Sequence, residues 1–233
     1  MPEPQINRYN TGQALARSLS RSIGEALAAA IQKDGEAFIA VSGGSTPKLL
    51  FQTLSKEDID WAKVTVTLVD ERFVPPSHER SNHRLVATHL LQNAAAFAKF
   101  IPLFSDHASP QEAAQSASLK IDAVGKPLDI AILGMGADGH TASWFPRSAQ
   151  LTDVTDPQQS ASVLAAYGDG LPDARLTLTL PSLRNAGIAV LHIEGIEKFD
   201  ILEQALGDGP IAELPVRALL RRAERPVQIY WAP

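Results

Sequence analysis

Leu133-Gly134-Met135-Gly136-Ala137-Asp138-Gly139-His140-Thr141-Ala142-Ser143 sets proton-exchanging residues among residues that let a chain turn tightly. An apolar run, Leu128 to Leu133, stops abruptly at three glycines, one aspartate and one histidine. Histidine is the usual general base near neutral pH, and a nearby carboxylate fixes its tautomer. The bland alternative is a histidine bonded to a loop carbonyl; the strand end and the glycines favour the functional reading. His140 is the only one of the six histidines in such a loop. His78, His83, His89, His107 and His192 lack that setting, and the first three show no metal-ligand spacing.

Three further segments carry groups suited to an anion. In Ser42-Gly43-Gly44-Ser45-Thr46-Pro47 the glycines allow close backbone approach, and a following helix presents free N–H groups. It reads equally as a phosphate cradle or as an ordinary strand-to-helix turn with a serine cap. It matches neither the P-loop nor the dinucleotide fingerprint. Asp70-Glu71-Arg72 follows an apolar run directly, where an acid and an arginine orient a substrate or form a surface cluster. Arg175 opens a Leu-Thr-Leu-Thr run, and Lys198 falls in a first helical turn after Gly195; in isolation each reads as a solvated cation.

The elements that must position these groups follow from periodicity. Leu15, Leu19, Ile23, Leu27 and Ile31 recur at four-residue steps, so Thr11 to Lys33 is a predicted helix ended by Gly35. Helices are also expected from Pro47, over Ser81–Leu91, Ser109–Val124, Gly195–Leu206 and Leu214–Arg222. Strands are expected over Ala37–Val41, Val64–Val69, Lys99–Phe104, Leu128–Leu133, Gly187–Ile193 and Val227–Trp231. Ser162–Tyr167 and Arg175–Leu180 read as added antiparallel strands, and Thr152–Ser160 as a polar surface loop. Trp61, Trp144 and Trp231 read as packing residues, and Arg221, Arg222 and Arg225 as a solvated helix end. The alternation of strands and helices gives an α/β chain with a mainly parallel sheet flanked by helices. No linker breaks residues 1–233, so one domain is expected.

The chain has 233 residues, 45% of them hydrophobic, enough for a sizeable core. A net charge of -5 disfavours nucleic acid or an anionic membrane as partner, while a few local cations suffice for one phosphate. Without cysteine there is no disulfide, thiolate nucleophile or thiolate-bound metal. The polar N-terminal residues suggest no signal peptide, and no apolar run approaches a membrane span, so a cytoplasmic protein is expected.

In order along nearly the whole chain, Val41 to Pro47, Asp70 to Pro75, Ser81-Asn82, Gly134 to Pro146, Arg175 to Thr179 and Gly195 to Lys198 resemble the 6-phosphogluconolactonase family. The resemblance implies a Rossmann-like fold shared with glucosamine-6-phosphate deaminases, sugar-phosphate isomerases and coenzyme A transferases. It implies hydrolysis of 6-phospho-D-glucono-1,5-lactone to 6-phosphogluconate, the second step of the oxidative pentose phosphate pathway, with neither cofactor nor metal. In that reading His140, Asp70 and Arg72 carry the chemistry. Ser42, Gly43, Gly44, Ser45, Thr46, Arg175 and Lys198 hold the phosphate. The competing deaminase branch continues its histidine segment into Asn-Glu-Pro; here Trp144-Phe145-Pro146 stands instead, without the carboxylate. A non-catalytic sugar-phosphate regulator would add a DNA-binding segment, and neither a spare domain nor a basic patch is present.

Overall fold

A computed structural model describes residues 4–106 and 108–233. His107 lies outside the described residues. The chain runs β1 (Gln5–Arg8), α1 (Gly12–Asp34), β2 (Ala37–Val41), α2 (Lys48–Leu54), β3 (Val64–Leu68), β4 (Asp70–Arg72), α3 (Asn82–His89) and β5 (Lys99–Ile101). It continues α4 (Pro110–Asp122), β6 (Ile130–Leu133), α5 (Leu151–Val154), β7 (Val163–Ala166), β8 (Arg175–Leu178), α6 (Leu180–Arg184), β9 (Ile188–Glu194), α7 (Ile196–Leu206), α8 (Val216–Arg222) and β10 (Gln228–Ala232).

Seven strands form one parallel sheet in the order β1-β10-β9-β6-β2-β3-β5. The inner strands β2 and β6 are buried at every position, because helices cover both faces. Their apolar runs are what made them legible. From β2 the chain builds outward through β3 and β5; from β6 it builds the other way through β9 and β10. The order therefore reverses between β2 and β6, and in open α/β sheets the crevice outside the strand ends at such a point is where ligands bind. Here the two loops that emerge side by side are those after Val41 and after Leu133, tied by Ser42 N–H donating to Ile132 O at 3.0 Å.

A second, antiparallel sheet, β4-β8-β7, stands beside this crevice. The chain leaves the main sheet at Val69, whose N–H still bonds Val41 O and whose carbonyl accepts from Leu178 N–H. The antiparallel placement of Ser162–Tyr167 and Arg175–Leu180 is as expected, but the second is shorter. Pro181 lies in the first turn of α6, which ends the strand after Leu178. Two expectations change. Thr152–Ser160 is not wholly loop, because Leu151 and Val154 bury themselves one helical turn apart in α5. Gln5–Arg8, polar in sequence, is an edge strand paired only with β10. The arginines at the end of α8 are exposed or half-exposed, as expected, and they also tie loops: Arg221 donates to Gly207 O and Gly209 O, and Arg222 to Thr155 O.

Helix ends follow the expected capping. Thr11, Ser81 and Ser109 each accept a backbone N–H from three residues on. Among the described residues no helix is long and apolar enough to cross a membrane.

Candidate functional site

The crevice at the switch point has two lobes that share Asp70, Arg72 and His140. One, about 230 Å³, is walled by the Ser42–Pro47 loop, Gly134 and Lys198. The other, about 600 Å³, lies towards Phe145, Arg147 and Arg175. The smaller lobe alone falls below the roughly 300–1,000 Å³ common for ligand pockets, and the larger lies within that range.

His140 sits where the lobes meet. Its Nδ1 pairs with Asp138 Oδ1 at 2.5 Å, and the same oxygen accepts the His140 backbone N–H at 3.2 Å. With Asp138 accepting from Nδ1–H, the tautomer that leaves Nε2 free is the favoured one. Burial pushes the Asp138 carboxyl up, but the hydrogen bond and charge of His140 outweigh it and hold the group below its ordinary range. The loop is built for this ring. A Cβ on Gly136 would lie 2.3 Å from His140 Cε1, so only glycine lets the imidazole lie against the backbone. Gly139 turns the chain at φ 75°, a left-handed conformation that side chains disfavour. Phe145 packs against the ring at 5.2 Å between centroids.

Asp70 does not bond His140. Its Oδ2 accepts from Ser143 Oγ at 2.6 Å, and Asn82 Nδ2 donates to its carbonyl at 2.8 Å. Arg72 Nη1 donates to Asn82 Oδ1 at 2.5 Å and to Arg80 O at 2.9 Å. Asn82 is therefore the clasp of this region, and Gly43 makes room for it: a Cβ there would overlap Asn82 Oδ1 at 1.8 Å. Neither Asn82 nor Ser143 has a role assigned from sequence: Asn82 meets Asp70 and Arg72 across the turn between β4 and α3, and Ser143 meets Asp70 from 73 residues away.

Glu71 organises the same corner from behind. It is fully buried and accepts from the N–H groups of Arg72, Asn82 and His83, each at 2.7 Å, and from Ser81 Oγ at 3.0 Å. Burial pushes its carboxyl above the usual range, and the four donors pull the other way. Strand alternation explains its inward aim, since Asp70 and Arg72 face the crevice and the residue between them must face the core. Glu71→Ala strands three backbone N–H groups and is expected to cost roughly 2–5 kcal/mol, read from denaturant unfolding.

The cations divide between the lobes. Lys198, in the first turn of α7, stands with the Ser42–Pro47 loop. Among the described residues no acceptor meets the N–H groups of Gly43, Gly44, Ser45 and Thr46, which leaves them free for an anion. Arg175, expected beside that loop, lines the other lobe. It lies directly across from Arg72 in the β4–β8 pairing, and its Nη1 has no hydrogen-bond partner. Burial lowers its pKa first and the Arg72 charge lowers it further, with Asp70 and Asp173 opposing. Two arginines facing each other across strands repel unless an anion lies between them.

Trp144 follows the histidine loop in the chain. It is fully buried, and its Nε1 donates to Leu178 O at 2.9 Å, so it packs the loop rather than meeting a ligand.

The family model for glucosamine-6-phosphate isomerases/6-phosphogluconolactonase matches residues 10–231. A 6-phosphogluconolactonase of Rhizobium meliloti is 52% identical over 225 residues, covering 97% of each chain. One from Pseudomonas aeruginosa is 41% identical and covers 94% of this chain and 90% of its own. The crystal structure of a 6-phosphogluconolactonase from Shewanella baltica superposes with a TM-score of 0.95 at 38% identity, over 99% of this chain and 98% of that one. With matches spanning almost every residue, the chain belongs to the glucosamine-6-phosphate isomerase/6-phosphogluconolactonase family.

Proposed function

We propose that this chain hydrolyses 6-phospho-D-glucono-1,5-lactone to 6-phosphogluconate. The observation that carries the reading is the His140–Asp138 pair at the junction of two cation-lined lobes. The phosphate rests on the N–H groups of Gly43 to Thr46, with the hydroxyls of Ser42, Ser45 and Thr46 nearby and Lys198 supplying charge. The lactone carbonyl lies near His140, with Arg72 facing its oxygen. Arg175, across from Arg72, adds positive charge at the end where the product carboxylate forms. Asp70, held by Ser143, orients a ring hydroxyl.

A δ-lactone is an activated ester, so modest help suffices. His140 Nε2 takes a proton from water as the water oxygen bonds to C1. The carbonyl oxygen gains negative charge, which Arg72 stabilises. The intermediate collapses, the bond from C1 to the ring oxygen breaks, and the imidazolium returns its proton to that oxygen. The new carboxylic acid gives its proton to solvent. Acid–base help of this kind is worth roughly 10²–10⁴-fold. Anchoring the distant phosphate lets binding energy orient the ring for attack. No serine sits in a nucleophile elbow, so water is the direct nucleophile. The absence of cysteine fits a reducing compartment, and the cytoplasm is the natural place for this substrate.

The decisive comparison offers freshly generated 6-phosphogluconolactone and, separately, glucosamine 6-phosphate. Acid release from the lactone well above its spontaneous rate, with no ammonia from the amino sugar, is the expected result. Ammonia release without lactone hydrolysis would overturn the reading in favour of deamination.

A further inference from the structure

Arg217, near the start of α8, takes no part in the chemistry above, yet this cation is only 4% exposed. Its Nη1 donates to Pro210 O at 3.0 Å, and its Nη2 to Gln204 O and Asp208 O, each at 2.8 Å. One turn on, Arg221 takes the carbonyls of Gly207 and Gly209, so α8 grips the end of α7 and the connection after it by five carbonyls. A Cβ on Gly209, whose φ is 136°, would lie 2.5 Å from Arg217 Nη1, so glycine lets the guanidinium lie against the backbone. Glu213 Oε2, 3.8 Å from Nη1, is exposed and a weak counter-charge. Taking a cation out of water is costly, and an apolar side chain would close the connection without that penalty.

The gripped connection leads to the back of the His140 loop. Ala137 and Asp138 are exposed, His140 is half-buried, and Gly139 between them is buried. Leu214 covers Gly139: a Cβ on that glycine would overlap Leu214 Cδ2. The Gly139 carbonyl accepts from Val216 N–H at 2.9 Å, at the first residue of α8 and next to Arg217. Further along, Ala212 O accepts from Arg147 N–H at 3.2 Å, where the chain holds a left-handed φ of 57°. The His140 loop closes on itself, with Gly136 N–H donating to His140 O at 2.9 Å and Gly139 N–H to Gly136 O at 3.0 Å. A shift at Gly139 therefore carries the imidazole with it.

We propose that Arg217 is a positioning residue for His140, acting through Leu214 and Val216, which hold Gly139 from behind the cleft. The assignment deepens the lactone-hydrolysis reading and rests on it. Asp138 sets the tautomer of the ring from within the loop; Arg217 sets where the loop stands. A general base must meet its water within about 2.6–3.2 Å, and a misplacement of about 1 Å costs up to ~10²-fold in rate. The Ser42–Pro47 loop lies between β2 and α2, and Lys198 stands at the opposite end of α7 from Gln204. Loosening the Arg217 grip is therefore felt in kcat rather than in phosphate capture.

The test compares wild type, Arg217→Met, Arg217→Lys and Leu214→Ala well below their melting temperatures. It reads lactone kinetics, affinity for 6-phosphogluconate, and the NMR signals of the His140 ring nitrogens, identified by their loss in His140→Asn. Arg217→Met is expected to lower kcat roughly 10–100-fold, to shift the His140 signals, and to leave KM and product affinity within a few-fold. Lysine keeps the charge without the planar fork and is expected to recover part of the rate. Leu214→Ala leaves both arginine grips in place and is expected to shift the same signals and lower kcat by a smaller factor. A purely structural Arg217 would lower the melting temperature and leave kcat and the ring signals unchanged, which would overturn the assignment. A loss that falls equally on product affinity would overturn it too. If the methionine variant fails to fold, the lysine variant decides by the same measurements. If the wild type does not speed lactone hydrolysis, the functional reading fails, and the ring signals still decide whether Arg217 places His140.

Discussion

His140→Asn is expected to lower kcat for the phosphorylated lactone by roughly 10²–10⁴-fold, the usual worth of a positioned general base. Asparagine fills nearly the same space over Gly136 but cannot accept the water proton at this pH. The proposed phosphate contacts lie in the other wall of the cleft, so affinity for 6-phosphogluconate should stay within a few-fold, as for loss of an interaction made only in the transition state. Rapid mixing with freshly generated lactone, corrected for spontaneous opening, reads the first quantity; calorimetric titration with product reads the second. A variant with near-wild-type turnover would remove His140 from the chemistry and leave Asp138 with a purely local role.

Arg72→Met is expected to cost roughly 10²–10³-fold in kcat, the scale seen when one oxyanion donor is removed. The guanidinium is already aimed by Asn82 Oδ1 and Arg80 O, so it needs little reorganisation as charge develops. Lysine at this position keeps the charge, but its ammonium lacks the planar guanidinium geometry and presents a more strongly hydrated point charge, so it should restore only part of the rate. The kinetic split is informative. A large rise in KM with kcat unchanged would mean that Arg72 grips a ground-state anion, and the substrate would then lie in the cleft with its ends exchanged.

The main sheet was legible because strands covered on both faces read as unbroken apolar runs, as in Ala37–Val41 and Ile130–Leu133. Gln5–Arg8 left no such trace, since an edge strand with one neighbour needs no apolar face. Asp70–Arg72 read as the end of a strand because its own pairing depends on Arg175–Thr177, about a hundred residues later. The same long-range pairing explains why Arg175 stands across from Arg72 rather than beside Ser45. The His140 loop and the Ser42–Pro47 loop were visible through their glycines, which mark tight turns whatever the tertiary context. His192 gave no local signal. Its place in the wall of the cleft comes from β9 lying next to β6. Glu71 could have been suspected from alternation alone, as the inward residue between two that face the crevice.

A crystal structure of the wild-type protein with 6-phosphogluconate tests the account most directly, because one observation fixes both ends of the ligand. The expected result places the phosphate on the N–H groups of Gly43 to Thr46 with Lys198 within hydrogen-bond reach, and the C1 carboxylate between His140 Nε2 and Arg72. Phosphate found instead between Arg72 and Arg175, with the carboxylate on the Ser42–Thr46 loop, would contradict it.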